Sequence, residues 1–460
     1  MFSPKARGTT MKILVLNGSP KGQNSVTLQY VKYLAKISKN HEKLGADFDV
    51  LDVGKTVYSL SKPEKLQGVL DSISSADMLL FSYPVYTFLA PSQLHKFFEI
   101  LRDNHVDLSG KYVTQLTTSK KFYDVTAHRA VRDMILSLGG KYIGGYSADM
   151  DDLLKEDLRE NFVEWWRYVH FQIENDIYEK ADAVAPHRET YLSSSSPVEK
   201  KGDKKIIVVT DNTENASLMA MVTDFVNLCP YEVEVIDLKK DGPKSGCRGC
   251  LKCAATGECV IKDGFEDLLN NKINRADAVI MAFEVTMHSV SSTFKAFFDR
   301  QFVNGHRPVT AGKPTAYLVS GSYEGEANLQ MYVEAKSAVG GNMNVGVVCD
   351  ESATLTDIEQ LVSKLTYALE NCLTPHKNFY EVGGMRIFRD MIWIMRGIMK
   401  LDYDFYKKKG LLDFPQKQRG TMLAMKFLGR VLRVKTLQKK MPNMLEEGML
   451  MPYQKLTREE

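Results

Sequence analysis

MKILVLNGSPKGQNSVTL, residues 11–28, is the stretch of sequence that decides the fold. It opens with a nearly continuous apolar run, Ile13–Leu16, which predicts a β-strand buried on both faces, as in a parallel sheet. The run ends at residues 17–20, Asn-Gly-Ser-Pro, which predicts a turn. A helical pattern then extends from Ser25 to Leu34. A strand, a polar loop and a helix start in this order present backbone N–H groups and the helix dipole to an anion.

This loop predicts a binding site for a phosphate group. It contains neither the Gly-x-Gly-x-x-Gly fingerprint of dinucleotide sites nor the Gly-Lys-Ser/Thr of Walker loops. A phosphate monoester held by hydroxyl groups and backbone amides suits flavin mononucleotide (FMN). The alternative is an ordinary strand–helix turn with a Ser or Thr cap. The side chains that we expect at the phosphate are Ser19, Lys21, Asn24, Ser25 and Thr27.

The motif Asn-Gly-Ser-Pro-Lys-x-x-x-Ser-x-Thr, residues 17–27, resembles the phosphate loop of the NAD(P)H-dependent FMN reductase and iron–sulfur flavoprotein family. That family has the flavodoxin-like fold. It more often carries Arg where this chain has Lys21, which keeps the charge but not the planar fork. The resemblance implies an FMN-dependent oxidoreductase that takes electrons from NAD(P)H or from reduced ferredoxin. It does not identify the acceptor.

The order of predicted elements repeats once along the chain. Residues 12–146 alternate between strands and helices, which is typical of a doubly wound parallel α/β sheet. After a polar stretch rich in Ser and Lys the pattern begins again, and KKIIVVTDNT (204–213) parallels MKILVLNGSP (11–20). We therefore predict two tandem flavodoxin-like domains at residues 11–185 and 204–375, a linker at 186–203 and a basic helical extension at 376–460.

The loop after the third strand of the first repeat, residues 82–92, corresponds to the loop that wraps the isoalloxazine ring in the family. Tyr86 and Phe88 offer rings for stacking on a flavin, and plain packing of these two side chains is the alternative. A further loop follows the fourth strand at the same edge of the sheet, and we expect it to close the site. The residues expected at the flavin from these two loops are Pro84, Val85, Tyr86, Thr87, Phe88, Thr118 and Ser119.

The second repeat differs at its corresponding loops. Its first loop, residues 210–215, contains Asp211 and Glu214, whose charges would repel a phosphate, so we doubt that this repeat binds FMN in the same way. After its second strand it carries a Cys-x2-Cys-x2-Cys-x5-Cys motif, which resembles the compact cysteine motif of iron–sulfur flavoproteins. Four thiolates at this spacing favour a [4Fe-4S] cluster over zinc, with unliganded cysteines as a further alternative. The expected ligands are Cys247, Cys250, Cys253 and Cys259.

The last part of the chain has a different character. Residues 381–440 carry fifteen Lys and Arg against five acidic residues, and Met385–Met399 and Met422–Leu437 show apolar residues at helical spacing. Basic amphipathic helices that rest on an anionic membrane surface are one interpretation. Helices that pack on the two domains or on another subunit are the other. We favour packing, because globular helices show the same periodicity.

The charge and the cysteine content of the chain indicate which partners and which cellular compartment to expect. The chain has 460 residues, 25% of them charged, and a net charge of +3, which gives no reason to expect a nucleic-acid partner. Seven cysteines, four of them clustered, without an apolar leader or a membrane span, favour a reducing cytoplasm. The oligomeric state is open.

These observations predict a flavoprotein oxidoreductase with FMN in the first repeat and a cluster in the second. Family members place flavin and cluster across a subunit contact, and a contact between the repeats would replace it here. A flavodoxin-like electron carrier that docks partners through its basic tail is the second hypothesis, and a zinc-stabilised regulatory module is the third. We assign no catalytic side chain, because the flavin carries the redox chemistry and the protein orients it.

Overall fold

The computed structural model describes residues 11–39, 45–180 and 190–431, which contain two parallel sheets. The first sheet consists of β1 (Met11–Asn17), β2 (Ala46–Leu51), β3 (Met78–Pro84), β4 (Tyr112–Ser119), β5 (Lys141–Tyr142) and β6 (Tyr146–Asp149), in the order β2-β1-β3-β4-β5 with β6 also beside β4. The second consists of β7 (Lys205–Thr210), β8 (Glu232–Asp237), β9 (Ala278–Glu284), β10 (Pro314–Ser320) and β11 (Met343–Cys349), in the order β8-β7-β9-β10-β11. Both sheets therefore share the 2-1-3-4-5 strand order of flavodoxin-like folds.

Helices alternate with these strands in both repeats, which confirms the predicted doubly wound α/β architecture. The helices of the first repeat are α1 (Val26–Lys39), α2 (Val53–Thr56), α3 (Pro63–Ser75), α4 (Ser92–Asp103), α5 (Asp124–Ser137) and α6 (Glu156–Glu174). Those of the second repeat are α7 (Ala216–Leu228), α8 (Lys252–Thr256), α9 (Phe265–Asp267), α10 (Ser292–Arg300), α11 (Ala327–Val339) and α12 (Leu355–Glu370). The C-terminal extension contributes α13 (Phe379–Ile394), α14 (Lys400–Lys408) and α15 (Arg419–Val431).

Each sheet is buried on both faces, which explains why its central strands are apolar throughout and do not alternate with polar residues. In the first sheet one face packs against α4 and α5, and the opposite face packs against α1 and α6. The two faces of β1 are formed by Leu14 and Leu16 on one side and by Ile13 and Val15 on the other.

Helix α6 is an element that sequence reasoning did not predict. It follows the last strand of the first repeat and buries Phe162, Trp166 and Val169 in the core beneath the sheet. These residues are spaced by four and three positions, which is the helical signal. The charged residues between them obscured this periodicity in the sequence.

The described part of the predicted linker is bound to the second repeat. The buried carboxylate of Asp224 in α7 accepts hydrogen bonds from the Tyr191 hydroxyl (2.7 Å), the Ser193 hydroxyl (2.7 Å) and the Ser195 backbone N–H (3.0 Å). The polar residues of this stretch therefore satisfy one buried charge. Residues 186–189 of the predicted linker lie outside the described residues.

The two repeats meet where α4 packs against α10. Both belong to one compact unit that extends to Tyr403. Asp299 Oδ2 accepts the backbone N–H of Ser92 (2.9 Å), and Glu99 Oε1 accepts the backbone N–H of Ser292 (2.6 Å). Each helix thus begins at a carboxylate from the other, which is the arrangement of an isologous dimer inside one chain.

The C-terminal extension divides between two compact units. In the first unit α13 packs on α11, and the Phe388 ring lies 5.0 Å from Phe122 and 4.6 Å from His306. The second unit begins at Asp404 and contains α15, whose Leu423 and Phe427 are 67% and 68% exposed. Residues 432–460, which include the end of the predicted Met422–Leu437 helix, lie outside the described residues. Among the helices that the structure describes, none combines the length and apolar character needed to cross a bilayer.

Candidate functional site

The loop between β1 and α1 is shaped by the buried side chain of Asn17. Its amide nitrogen donates hydrogen bonds to Gly22 O (3.1 Å) and to Asp52 Oδ1 (2.7 Å), and its oxygen accepts the Ser19 N–H (3.2 Å). Gly22 has a φ of +54° and begins a short 3-10 turn that extends to Asn24. Sequence reasoning gave roles to neither Asn17 nor Asp52, because their importance depends on contacts between separate segments.

The predicted phosphate residues divide into buried and exposed members. Ser19, Ser25 and Thr27 are at most 2% exposed, whereas Lys21 and Asn24 are exposed at the rim of the loop. The Thr27 hydroxyl lies 2.6 Å from the hydroxyl of Thr118, so the first turn of α1 meets the end of β4. Ser25 directly precedes α1, whose first-turn N–H groups have no partner within the helix. This donor set of hydroxyls, amides and one ammonium fits a phosphate dianion.

The corresponding loop of the second repeat is filled by its own side chains. It has five residues between β7 and α7, against eight between β1 and α1. Asn215 caps α7 by accepting the Leu218 N–H (2.9 Å) and donates to the Ser320 hydroxyl (3.1 Å). Asp211 is buried beside the Ser291 hydroxyl, and burial raises the pKa of its carboxyl to about 7. A shorter loop with its own cap and a buried carboxyl is a poor phosphate site.

The loop after β3 forms a tight turn that recurs in the second repeat. The Tyr86 N–H donates to Leu89 O (2.8 Å) and the Leu89 N–H donates to Tyr86 O (3.1 Å), so that Thr87 and Phe88 adopt left-handed φ values of 45° and 67°. The second repeat repeats this geometry at residues 286–289. The Val85 N–H donates to Thr118 O (3.1 Å), which attaches the turn to the end of β4.

The side chains of this turn point away from one another. The Phe88 ring is 7% exposed and packs 5.1 Å from Phe122 and 5.0 Å from Tyr123, so its position is that of the packing alternative. The Tyr86 ring lies edge-on to Phe302 of the second repeat at 6.1 Å. Thr118 is 4% exposed, and the Ser119 hydroxyl accepts the backbone N–H of Lys121 (2.8 Å). Pro84, Val85 and Thr87 remain partly exposed at the edge of the sheet.

The four clustered cysteines lie in the long connection between β8 and α9, which contains the short helix α8 and which we call the cysteine loop (residues 238–264). The corresponding connection between β2 and α3 has 11 residues, whereas this one has 27. Sγ of Cys247 accepts the Gly249 N–H at 3.3 Å, and Sγ of Cys259 accepts the Ile261 N–H at 3.4 Å. The Cys253 thiol donates to Phe302 O (3.1 Å), and Cys250 is exposed. Within the described ranges, no group of three or more His, Cys, Asp or Glu side chains is arranged as a metal site.

A buried ion pair fastens the base of the cysteine loop. Arg300, at the end of α10, binds both carboxylate oxygens of Asp263 (2.8 and 2.9 Å) and donates to Ser245 O (3.1 Å). The side chains of Arg300 and Asp263 are 1% and 6% exposed. Because this bidentate pair joins both ends of the cysteine segment, it determines where the thiols lie.

The cysteine loop of the second repeat rests on the first repeat. The Gly246 N–H donates to the Tyr58 hydroxyl (3.1 Å), and the Gln93 amide donates to Cys247 O (3.3 Å). Gly249 has a φ of +62°, and a β-carbon there would overlap the Tyr86 hydroxyl. The structure thus brings the cysteine loop into contact with the turn at residues 86–89. Tyr58, Gln93 and Arg300 carry no motif that sequence reasoning could have used.

His95 and His128, which lie near these loops, are poor proton donors and acceptors at neutral pH, whereas a hydrogen bond to Glu326 (2.7 Å) raises the pKa of His288 in the turn at residues 286–289. Burial lowers the pKa of His95 to about 3 and the pKa of His128 to about 4, so both rings are neutral. His128 contacts the Thr117 hydroxyl at 2.8 Å.

We predict that the free energy of unfolding of Asp211→Asn increases relative to that of the wild type as the pH rises from 5 to 7. The folded-state pKa of Asp211 is above its unfolded value, so the folded state binds the proton more tightly and wild-type stability falls over this range. The difference in free energy of unfolding between variant and wild type should grow by about 2 kcal/mol, measured by urea denaturation at the two pH values. Glu214→Gln, at an exposed position of the same loop, is the control and should show no such growth.

Both repeats match the sequence model of one known protein family. The sequence model of a family described as NADPH-dependent FMN reductase matches residues 11–151 and again residues 206–349, together more than half of the chain. The chain is 31% identical over 193 residues to a protein called iron-sulfur flavoprotein from Archaeoglobus fulgidus, a match that covers 40% of this chain and 86% of that protein.

Two solved structures each match somewhat more than a third of this chain. One is the apo form of an NADH:FMN oxidoreductase (EMOB), 20% identical, covering 35% of this chain and 90% of that one with a TM-score of 0.31. The other is an NAD(P)H:quinone oxidoreductase from Methanothermobacter marburgensis, 13% identical, covering 38% of this chain and 100% of that one with a TM-score of 0.29. The resemblance seen in the phosphate loop is confirmed by the match of both repeats: this chain is an oxidoreductase that belongs to the NADPH-dependent FMN reductase family.

Proposed function

We propose that the first repeat binds FMN and that the cysteine loop of the second repeat binds a [4Fe-4S] cluster. The protein would pass electrons from NAD(P)H or reduced ferredoxin through these groups to an acceptor that remains to be identified. The observation that carries the proposal is the contact between the cysteine loop and the turn at residues 86–89, where Tyr86 meets Gly249. Gly246 and Tyr58 join the same two parts of the chain. A contact inside one chain would then do what a subunit contact does in a dimeric flavoprotein.

The first repeat fits FMN through its chemistry. Its buried hydroxyls and the start of α1 suit the phosphate. The turn at residues 86–89 and the end of β4 would hold the ring mainly through backbone groups, because the Phe88 ring is packed inside and the Tyr86 ring faces the cysteine loop. FMN, when bound, supplies hydride and single-electron transfer. The residues proposed to hold it are Ser19, Lys21, Asn24, Ser25, Thr27, Pro84, Val85, Tyr86, Thr87, Phe88, Thr118 and Ser119.

The cysteine loop fits a cluster through its donor set. Cys247, Cys250, Cys253 and Cys259 are free thiols within one loop, and backbone N–H groups already point at two of the sulfurs. Hydrogen bonds to sulfur are typical of iron–sulfur sites, where they help to tune the potential. The name of the Archaeoglobus fulgidus relative supports iron over zinc. Membership in a reductase family likewise favours an enzyme over an electron carrier or a zinc-stabilised regulatory module.

We predict that Ser25→Asp weakens FMN binding about 100-fold while the protein stays folded. Asp is a favoured residue before a helix, so α1 should form normally, but its charge would repel the phosphate. The measurement is fluorescence titration of the apoprotein with FMN and with riboflavin. Riboflavin, which has no phosphate, should lose much less affinity.

Asn215→Asp is the matched control for this variant, because it adds the same charge at the start of α7. It should leave FMN affinity unchanged, and the wild type should bind one FMN per chain. Equal losses in the two variants would place the phosphate elsewhere.

We predict that anaerobically purified protein contains about four iron atoms per chain and shows flavin absorbance with a broad shoulder that dithionite bleaches. Cys253→Ser should lose the iron and the shoulder but keep FMN, whereas Cys349→Ser, outside the cysteine loop, should keep both. Elemental analysis and absorbance spectra give the answer. Stoichiometric zinc without iron would refute the cluster.

A separate proposal concerns the second unit. Helix α15 carries Arg419, Lys426 and Arg430 on one stripe and exposes Met422, Leu423, Met425 and Phe427. This combination suits peripheral contact with an anionic lipid surface. Packing on the two domains or on another subunit, which is the interpretation favoured from the sequence, is the competing explanation.

We predict that full-length protein co-sediments with vesicles that contain anionic lipid and not with neutral vesicles. Leu423→Asp combined with Phe427→Asp should reduce the bound fraction severalfold, because both changes remove exposed apolar area from α15. Leu192→Asp, at a position 76% exposed outside the extension, is the control. Equal and negligible sedimentation with both kinds of vesicle would remove the membrane contact.

A further inference from the structure

The interface between the repeats has a pseudo-two-fold symmetry that extends beyond the two helix starts. One turn into α4, His95 Nδ1 lies 3.3 Å from Val290 O in the turn region of the second repeat. One turn into α10, Lys295 Nζ donates to Tyr86 O in the first repeat (2.9 Å). Each helix therefore contacts the turn region of the other repeat through the side chain of its fourth residue. Residues 95 and 295 are equivalent, as are residues 99 and 299.

The side chains at these equivalent positions break the symmetry. Beneath the turn of the first repeat, Lys295 pairs with Asp299, and both side chains are fully buried. Asp299 also accepts hydrogen bonds from the Ser92 N–H and, at 3.3 Å, from the Thr87 hydroxyl. Beneath the turn of the second repeat lie a neutral His95 and Glu99, whose carboxylate binds the Ser292 N–H and hydroxyl.

Helix capping alone does not account for the buried ion pair. Glu99 caps α10 without a buried cation at residue 95, and its cationic partner is Lys96, whose side chain is 41% exposed, so the interface closes there without a fully buried ion pair. A buried ion pair costs more desolvation than such an arrangement, and replacing it with apolar side chains is often neutral for stability. The pair is present only beneath the turn of the repeat whose phosphate loop is intact. Its charges therefore act on that turn.

Other charged side chains lie on the helices around the ion pair. Lys336 of α11 is half-buried and donates to Gln301 Oε1 (2.9 Å), and desolvation together with the nearby Lys295 lowers its pKa to about 7. It lies 4.3 Å from the centroid of the Phe298 ring. Lys96 and Glu99 pair with each other at 3.1 Å on α4. The Lys295 ammonium, which bonds directly to Tyr86 O, is thus the cation in contact with the turn.

We propose that Lys295 and Asp299 of the second repeat are positioning residues for the FMN site of the first repeat. Lys295 holds the carbonyl of Tyr86, and Asp299 holds Thr87 and the start of α4, so the turn that faces the flavin is fixed from the other repeat. The site is then a composite of both repeats, and a buried ion pair whose ammonium faces the turn lies behind it. This inference rests on the proposed binding of FMN to the first repeat.

The test compares Lys295→Met with His95→Leu, the equivalent change on the other side of the pseudo-two-fold. Lys295→Met should weaken FMN binding about tenfold, since a buried hydrogen bond from a charged group is lost from the turn. It should also lower the midpoint potential of bound FMN, because loss of the ammonium leaves the buried carboxylate of Asp299 unbalanced and makes electron uptake nearby less favourable. His95→Leu should change neither quantity. FMN titration and spectroelectrochemistry provide the two readouts.

A second pair of variants guards against a folding defect. Asp299→Asn and Glu99→Gln each remove one carboxylate charge with almost no change in shape, and only Asp299→Asn should weaken FMN binding. If Lys295→Met does not fold, the double variant Lys295→Met with Asp299→Leu removes the whole ion pair and leaves no unpaired buried charge. That variant should likewise bind FMN about tenfold more weakly.

The outcomes separate this inference from the proposed function. A wild type that binds no FMN would defeat the proposed function itself. A wild type that binds FMN, with equal effects of changes at residues 95 and 295 or no effect of either, would overturn the positioning role alone. A selective loss of affinity at residues 295 and 299, with a lowered potential in Lys295→Met, would support it.

Discussion

The contact between α4 and α10 is the constraint on which the rest of the structure depends. Each helix begins at a carboxylate supplied by the other, Asp299 for α4 and Glu99 for α10. A carboxylate buried at this interface is tolerated because the N–H groups at a helix start, which have no partner within the helix, bind it. The two turns that precede these helices are thereby fixed as well. The geometry of both candidate cofactor loops follows from this one interface.

The last turn of α10 links the two halves of the site. Asp299 binds the start of α4 and the Thr87 hydroxyl, and the next residue, Arg300, binds Asp263 at the base of the cysteine loop. Adjacent residues on a helix point in different directions, so one turn can hold two loops. A displacement of α10 would therefore move the flavin turn and the cysteine loop together.

The duplicated repeats have diverged in ways that have simple physical consequences. The loop before α7 lost three residues relative to the loop before α1, and Asn215 now occupies the helix start where an anion would bind. Asp211 adds a buried carboxyl to the same place. The connection after β8 grew long enough to carry four cysteines and to reach Tyr58 of the first repeat. Each repeat thus keeps the scaffold and specialises one loop.

Much of this architecture could be predicted from local sequence. Two flavodoxin-like units could be predicted from the apolar runs of β1 and β7, the recurring motifs and the phosphate loop. Strands that are buried on both faces of a sheet are apolar throughout, and the sequence shows this directly. Phe88 shows what local sequence cannot predict. The sequence of a loop does not distinguish an aromatic ring that stacks on a ligand from one that packs in the core, and the Phe88 ring packs on Phe122 and Tyr123. Helix α6 was missed for a related reason, since charged residues surround its three buried side chains.

The sequence by itself determined the fold of each repeat, the chemical groups available in each loop and the family. Only the tertiary structure decided which loops meet. The hydrogen bonds between Tyr58 and Gly246, between Lys295 and Tyr86, and between Asp299 and Ser92 join residues about two hundred positions apart. No local periodicity records such pairs, because the free energy that favours them comes from burying the interface between the repeats as a whole.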